Sequence, residues 1–120
     1  MGYILAQMHG NIDSGKVVSM CLFHDLPEAR SLDHHYVSQQ YVTVDEEQIS
    51  HDQLLGLPGE SYTKELVHEY RKRESIESRL AKDADILEAI LTICEQKYLC
   101  EKELANEWIR VLTPHIKSEV

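Results

Sequence analysis

Between Ser75 and Tyr98 the chain carries Leu80, Ala84, Leu87 and Leu91 at successive spacings of four, three and four residues. Ile76, Ile90 and Cys94 join this stripe, and Ile86, Ala89 and Ile93 add a second apolar face. Recurrence at intervals of three and four follows the turn of an α-helix and is incompatible with the two-residue alternation of a strand. A helix with two apolar faces is stable in water only if other elements cover both. The feature therefore predicts a helix that Ser75 caps, that runs to about Tyr98 and that packs on two sides.

The rest of the chain agrees with that expectation. A first helix is predicted from Gly2 to His9, closed by the Gly10-Asn11 pair. Tyr3, Ile4, Leu5, Ala6 and Met8 would bury much of its circumference. Asp13 or Ser14 caps a second helix whose Val17, Val18, Met20, Cys21, Leu22 and Phe23 are apolar nearly all round, which predicts a central position. Pro27 disfavours helical geometry in the residue before it, so the chain should bend there and restart a short helix. Ser31 to Asp52 reads as polar and irregular, with a short helix at His35 to Tyr41 and a solvated acidic face at Asp45-Glu46-Glu47. Val42-Thr43-Val44 is too short to make a sheet. Ser50 or Asp52 caps a brief turn through Leu54 and Leu55, and Gly56-Leu57-Pro58-Gly59 marks a loop. Ser61 is expected to cap a helix running to about Glu74. A last helix from about Glu101 to Ile116 carries Leu104, Trp108, Val111 and Leu112, with Trp108 read as core and Pro114 as its end.

A chain of 120 residues with 42% apolar residues suffices for one domain with one modest core. Acidic residues outnumber basic ones by 21 to 12, for a net charge of -9. That excludes a broad basic surface for a nucleic-acid polymer, but a small phosphorylated ligand remains compatible if a metal or a few cations offset the field locally. Cys21, Cys94 and Cys100 are the only cysteines, an odd number with no CxxC spacing, as expected of reduced thiols in a cytoplasmic protein. The apolar run Gly2 to Met8 is too short to span a bilayer and lacks the pattern of a signal peptide, so no membrane partner is expected.

The chemistry of the chain concentrates at His24-Asp25, which directly follows the apolar second helix. Helical neighbours point about 100° apart, yet both side chains can reach one cation if the backbone turns around it. An imidazole and a carboxylate suit a divalent transition metal such as Mn, Co, Ni, Fe or Zn. The dipeptide equally fits a histidine that closes a helix by bonding a carbonyl. Glu28 lies three residues after Asp25 and four after His24, on their side of any resumed helix, where a carboxylate can orient or deprotonate a water. Arg30 is a candidate partner for phosphate charge. His34 and His35 read as solvated residues of a polar loop, and His51, His68 and His115 have no spacing that suggests a site.

The stretch Cys21-Leu-Phe-His-Asp-Leu-Pro-Glu-Ala-Arg-Ser-Leu-Asp33 resembles the HD-domain superfamily of metal-dependent phosphohydrolases. It looks most like the branch of small 5'-deoxynucleotidases, with its pattern LxHDxxEaxxGD. His35-Tyr36-Val37, Tyr41-Val42 and the segment Ser75 to Ile90 are similar to the same branch, and the resemblance runs from near Gly2 to near Leu112. It implies an all-α, HD-domain-like bundle. It further implies His24 and Asp25 as metal ligands, Asp85 as the distal ligand, Glu28 as the acid acting on the nucleophilic water, and Asp33 as a contact to the substrate's sugar or water network. The implied substrate is a small phosphomonoester, a nucleoside 5'-monophosphate above all. Asp83 competes with Asp85: helical periodicity places Asp83 nearer the Leu80-Leu87 stripe, whereas the motif favours Asp85.

Two departures qualify the resemblance. The family's first ligand histidine has no counterpart, since only His9 precedes His24, and an N-terminally shortened domain is expected. A shortened chain, a three-ligand site completed by water, or a ligand and cover supplied by another chain would each account for this, and the exposed apolar surface favours a homo-oligomer. Leu32 stands where the pattern has glycine; leucine resists positive φ, which unsettles the position of Asp33. The alternative function is therefore a catalytically impaired HD-fold protein that acts by association.

Overall fold

The computed structural model describes residues 1–35, 37–96 and 102–118. Seven α-helices lie among them: α1 (Gly2–His9), α2 (Ser14–Phe23), α3 (Glu28–Ser31), α4 (Glu46–Leu54), α5 (Glu60–Lys72), α6 (Ile76–Gln96) and α7 (Lys102–Leu112). Short 3-10 turns occur at Ser38–Gln40 and Thr113–His115, and the described residues contain no strand. The predicted extensions to Tyr98 and back to Glu101, and the thiol of Cys100, lie outside the described residues. So does Tyr36, within the helix predicted at His35 to Tyr41, of which the 3-10 turn is the described part.

The stripe of α6 organises the molecule. Leu80, Ala81 and Ala84 are buried against Val17 and Met20 of α2, Leu5 and Ala6 of α1, and Leu66 and Tyr70 of α5. Burial of each large aliphatic side chain contributes about 1.5–3 kcal/mol, so α2 against α6 is the main cohesive contact. At Gly2 the backbones approach closely: an added Cβ would stand 2.6 Å from Cys21 Sγ, which would have to rotate away.

Local signals explain most helix ends. Asp13 caps α2 by accepting from Lys16 N at 3.0 Å, and Ser75 Oγ accepts from Ser78 N at 3.1 Å at the start of α6. Pro27 occupies the N-terminal cap of α3 with helical φ. Several expectations need correction. Helix α4 occupies part of the stretch read as irregular, because Asp45 caps it through Gln48 N at 2.9 Å. The acids of the expected solvated face are indeed at the surface, Asp45 and Glu47 exposed, with Glu46 3.2 Å from Arg71 and Glu47 3.3 Å from His68. Helix α5 begins at Glu60, with Gly59 at the cap position at φ 81°, so Ser61 lies inside the first turn; Glu60 Oε2 accepts from Gly56 N at 2.8 Å across the Gly56–Gly59 loop.

Three surfaces are more open than expected. Only Gly2, Leu5 and Ala6 of α1 are buried, leaving Tyr3, Ile4 and Met8 exposed. Val17 and Met20 of α2 are buried but Val18 and Leu22 are exposed. In α7 only Ala105 is buried, and Trp108, read as core, is 47% exposed because no described element covers that face.

Candidate metal centre

The end of α2 curls into the site. His24 continues the helical backbone, donating its N–H to Met20 O at 3.0 Å. Successive turns follow, with Leu26 N donating to Phe23 O at 3.1 Å and Glu28 N to Asp25 O at 3.0 Å. The backbone thus wraps tightly enough for adjacent side chains to converge. His24 and Asp25 come together with Asp85 of α6 at a cavity of about 270 Å³, also lined by Cys21, Ala84, Glu88, Met1 and Gly2.

The imidazole of His24 makes the carbonyl bond of one of the two roles that the sequence left open, and turns its other nitrogen toward two carboxylates. Its Nδ1 lies 2.9 Å from the carbonyl of Cys21, which can only accept, so Nδ1 carries a proton. Its Nε2 is buried, 3.0 Å from Asp25 Oδ1 and 3.7 Å from Asp85 Oδ1, yet makes no hydrogen bond of good geometry. The longer contact is electrostatic rather than a hydrogen bond. Burial on its own would lower the pKa of His24; the Asp85 carboxylate, then the charge of Asp25, outweigh it and raise the pKa. Two carboxylates therefore favour positive charge at Nε2, whether a proton or a divalent cation carries it.

Asp85 is held through its other oxygen. Lys82 Nζ donates to Oδ2 at 2.7 Å and Tyr70 Oη donates to the same atom at 3.1 Å. The neighbouring His24, and then Lys82, hold its carboxyl well below the usual carboxylate range against the effect of burial. Tyr70 also packs its ring against His24, with centroids 4.7 Å apart. Burial, then the charge of Asp85, pushes the Tyr70 phenol far above its ordinary value, so it remains a donor.

Asp83 has a different setting. It is fully buried and pairs with Arg73 Nη2 at 2.9 Å. It also accepts from Lys117 N at 3.0 Å and Ser118 N at 2.5 Å. Its partner is Arg73 rather than the nearby Lys82 or Arg79. Arg73 itself adopts the left-handed conformation at the end of α5 and donates also to His115 O at 2.8 Å.

The remaining sequence candidates lie at or beyond the rim. Glu28 is half-buried at the first position of α3 but does not line the cavity, where Glu88 stands instead. Burial, then the negative charges of Asp25 and Asp33, holds the Glu28 carboxyl above the ordinary range. Arg30 and Asp33 are exposed and outside the cavity lining. Leu32 adopts positive φ, at 67° with ψ 156°, in spite of the resistance expected of leucine. That region is almost reserved for glycine and costs about 1–3 kcal/mol. His9 sits at the far end of α1, on a separate cleft with Ile76, Arg79 and Lys117. His35 is a turn element, its Nδ1 accepting from Val37 N at 3.2 Å.

Sequence reasoning missed Tyr70 and the engagement of Lys82 with Asp85. Tyr70 belongs to another helix, and no spacing rule links it to Asp85.

Among the described residues, no three His, Cys, Asp or Glu side chains already converge as a metal-holding group. The donors nonetheless fit a borderline divalent cation in kind: one imidazole with its Nδ1 proton fixed by a carbonyl, its Nε2 without a hydrogen bond, and two carboxylates facing it. No helix among the described residues is long and apolar enough to cross a membrane. Neither the curated proteins nor the solved structures yielded a match. The HD domain family matches residues 1–115, and the chain therefore belongs to that family, whose general chemistry is metal-dependent phosphohydrolysis.

Proposed function

We propose that the protein hydrolyses small phosphomonoesters, nucleoside 5'-monophosphates above all, in the manner of the 5'-deoxynucleotidase-like branch of its family. The observation that carries this reading is the buried Nε2 of His24, which faces Asp25 and Asp85 without a hydrogen bond. His24, Asp25 and Asp85 would hold a divalent transition metal, one of Mn, Co, Ni, Fe or Zn. When bound, such a cation supplies Lewis-acid polarisation of a phosphoryl oxygen.

The chain's own groups do the rest. Glu28, with its raised pKa, takes up a proton from the attacking water more readily than an ordinary carboxylate. Arg30 and Asp33 meet the outer parts of the substrate, Arg30 by charge and Asp33 at the sugar. The free thiols of Cys21 and Cys94 accord with a cytoplasmic location.

The experiment is elemental analysis of protein purified without chelator, followed by a nucleoside monophosphate screen with Mn, Co and Ni. Transition metal near one equivalent, lost in His24→Ala and Asp25→Ala, with phosphate release in the screen, is the expected result. Full metal occupancy in both variants contradicts the site, and occupied protein that releases no phosphate contradicts the substrate class.

One observation favours a second reading, a catalytically impaired protein that acts by association as a homo-oligomer. Ile4, Met8 and Leu22 are 58%, 65% and 71% exposed on adjoining helices α1 and α2, a surface that water penalises. Size-exclusion chromatography separates the readings: a stable oligomer without metal or phosphatase activity favours association, and an active metal-loaded monomer excludes it.

A further inference from the structure

Tyr70 meets both His24 and Asp85, the first with its ring and the second with its hydroxyl. It projects from α5, a helix that supplies no proposed ligand, and is only 6% exposed. Its ring lies 4.7 Å from the His24 ring at an interplanar angle of 44°, so it limits the imidazole's rotation on one side while the Cys21 carbonyl fixes Nδ1 at 2.9 Å. Its Oη donates to Asp85 Oδ2 at 3.1 Å.

The consequence for Asp85 is a division of labour between its oxygens. Oδ2 already accepts from Tyr70 and, at 2.7 Å, from Lys82, whose Nζ also stands 5.3 Å from the centre of the Tyr70 ring. Oδ1 accepts no such donor and is the oxygen turned toward His24 Nε2, 3.7 Å away. A carboxylate free to rotate would present either oxygen; one anchored at Oδ2 presents only Oδ1.

We infer that Tyr70 is a positioning residue of the metal centre, its hydroxyl fixing which oxygen of Asp85 is left free to face His24. The inference rests on the metal-binding reading given under Proposed function. A buried tyrosine must bond its hydroxyl to something in any case, so the test has to separate positioning from simple satisfaction of a core group.

Tyr70→Phe does so, because it keeps the ring and its packing and removes only the hydroxyl. Full-length wild type, Tyr70→Phe and His24→Ala would each be titrated with Mn2+ by calorimetry, at a temperature where thermal unfolding shows all three folded. The Co2+-loaded proteins would then be compared by visible absorption, which reports ligand arrangement and is indifferent to stability. Loss of a supporting group of this kind weakens metal affinity about 10–100-fold, and that loss in Tyr70→Phe, with a displaced Co2+ band, is the expected result. Affinity within about twofold of wild type and an unchanged Co2+ band would overturn the inference, while wild-type binding abolished in His24→Ala would leave the metal site itself standing. Absence of Mn2+ binding in the wild type would overturn the metal site and this inference together.

Discussion

Asp83 and Asp85 stand two residues apart on α6 in opposite surroundings. Asp83 is fully buried, and Arg73 and the backbone N–H groups of Lys117 and Ser118 saturate its carboxylate. It ties α5, α6 and the segment after α7 into one structure. Asp85 is about a third exposed, anchored at one oxygen only, and turns the other toward His24 at a cavity. A buried acid with every lone pair engaged is structural, because any change of partner costs desolvation. A part-buried acid with one free oxygen beside an unbonded imidazole nitrogen has capacity to spare for a ligand.

That contrast can be broken by substitution. Asp83→Ala leaves the guanidinium of Arg73 and two backbone donors without their acceptor, and removing one partner of a buried ion pair costs about 3–5 kcal/mol. The urea midpoint should fall accordingly, while the fraction that remains folded binds Mn2+ as wild type does. Asp85→Ala should do the reverse. It leaves the buried Tyr70 hydroxyl without its acceptor and frees the part-exposed Lys82, a loss of about 1–3 kcal/mol, and it abolishes metal binding. Two variants with similar urea midpoints would erase the distinction.

The pH dependence of the metal-free protein sharpens it further. The raised pKa of His24 means that the folded state binds its proton more tightly than the unfolded state. This stabilisation is complete below the unfolded value of about 6.5, and it is lost as pH rises through the elevated folded value. Asp85 has the opposite sign: its contribution is present above the ordinary carboxylate range and lost as pH falls through its lowered value. Urea midpoints measured upward from pH 6 should decline in wild type and stay level in His24→Gln. A decline of equal size in both would assign it elsewhere.

The smallest effect is expected from Lys82→Met. Lys82 is more than a third exposed, and an ion pair at that depth contributes no more than about 1 kcal/mol. Its midpoint should lie close to that of wild type, checked by the same titration, with Tyr70 still anchoring Asp85. A loss as large as that of Asp83→Ala would show that the Asp85 region is structural after all.

Legibility in the sequence followed the range of the interactions. The stripe of α6 repeats over several turns, and periodicity correctly placed Asp83 on the buried face of that helix. Periodicity carries no information about what saturates a buried acid, and Arg73 and the 117–118 backbone reach Asp83 only through the tertiary fold. Helix α4 was not legible because its residues are mostly polar; only Ser50 and Leu54 are buried, and its acids pair with α5 across space. That Asp25 and Asp85 both stand near His24 was anticipated by the motif resemblance, whereas residue spacing alone left His24 open between a helix cap and a ligand. Glu28 shows the limit of spacing arguments: it stands at the start of α3, three residues after Asp25, yet the cavity is lined by Glu88 of α6 instead.

The most direct test of the account is calorimetric titration of chelator-treated wild type, Asp85→Ala and Asp83→Asn with Mn2+ under one buffer condition. The account predicts about one site per chain in wild type and in folded Asp83→Asn, and none in Asp85→Ala. Wild-type affinity in Asp85→Ala, or no binding in the wild type, would contradict it.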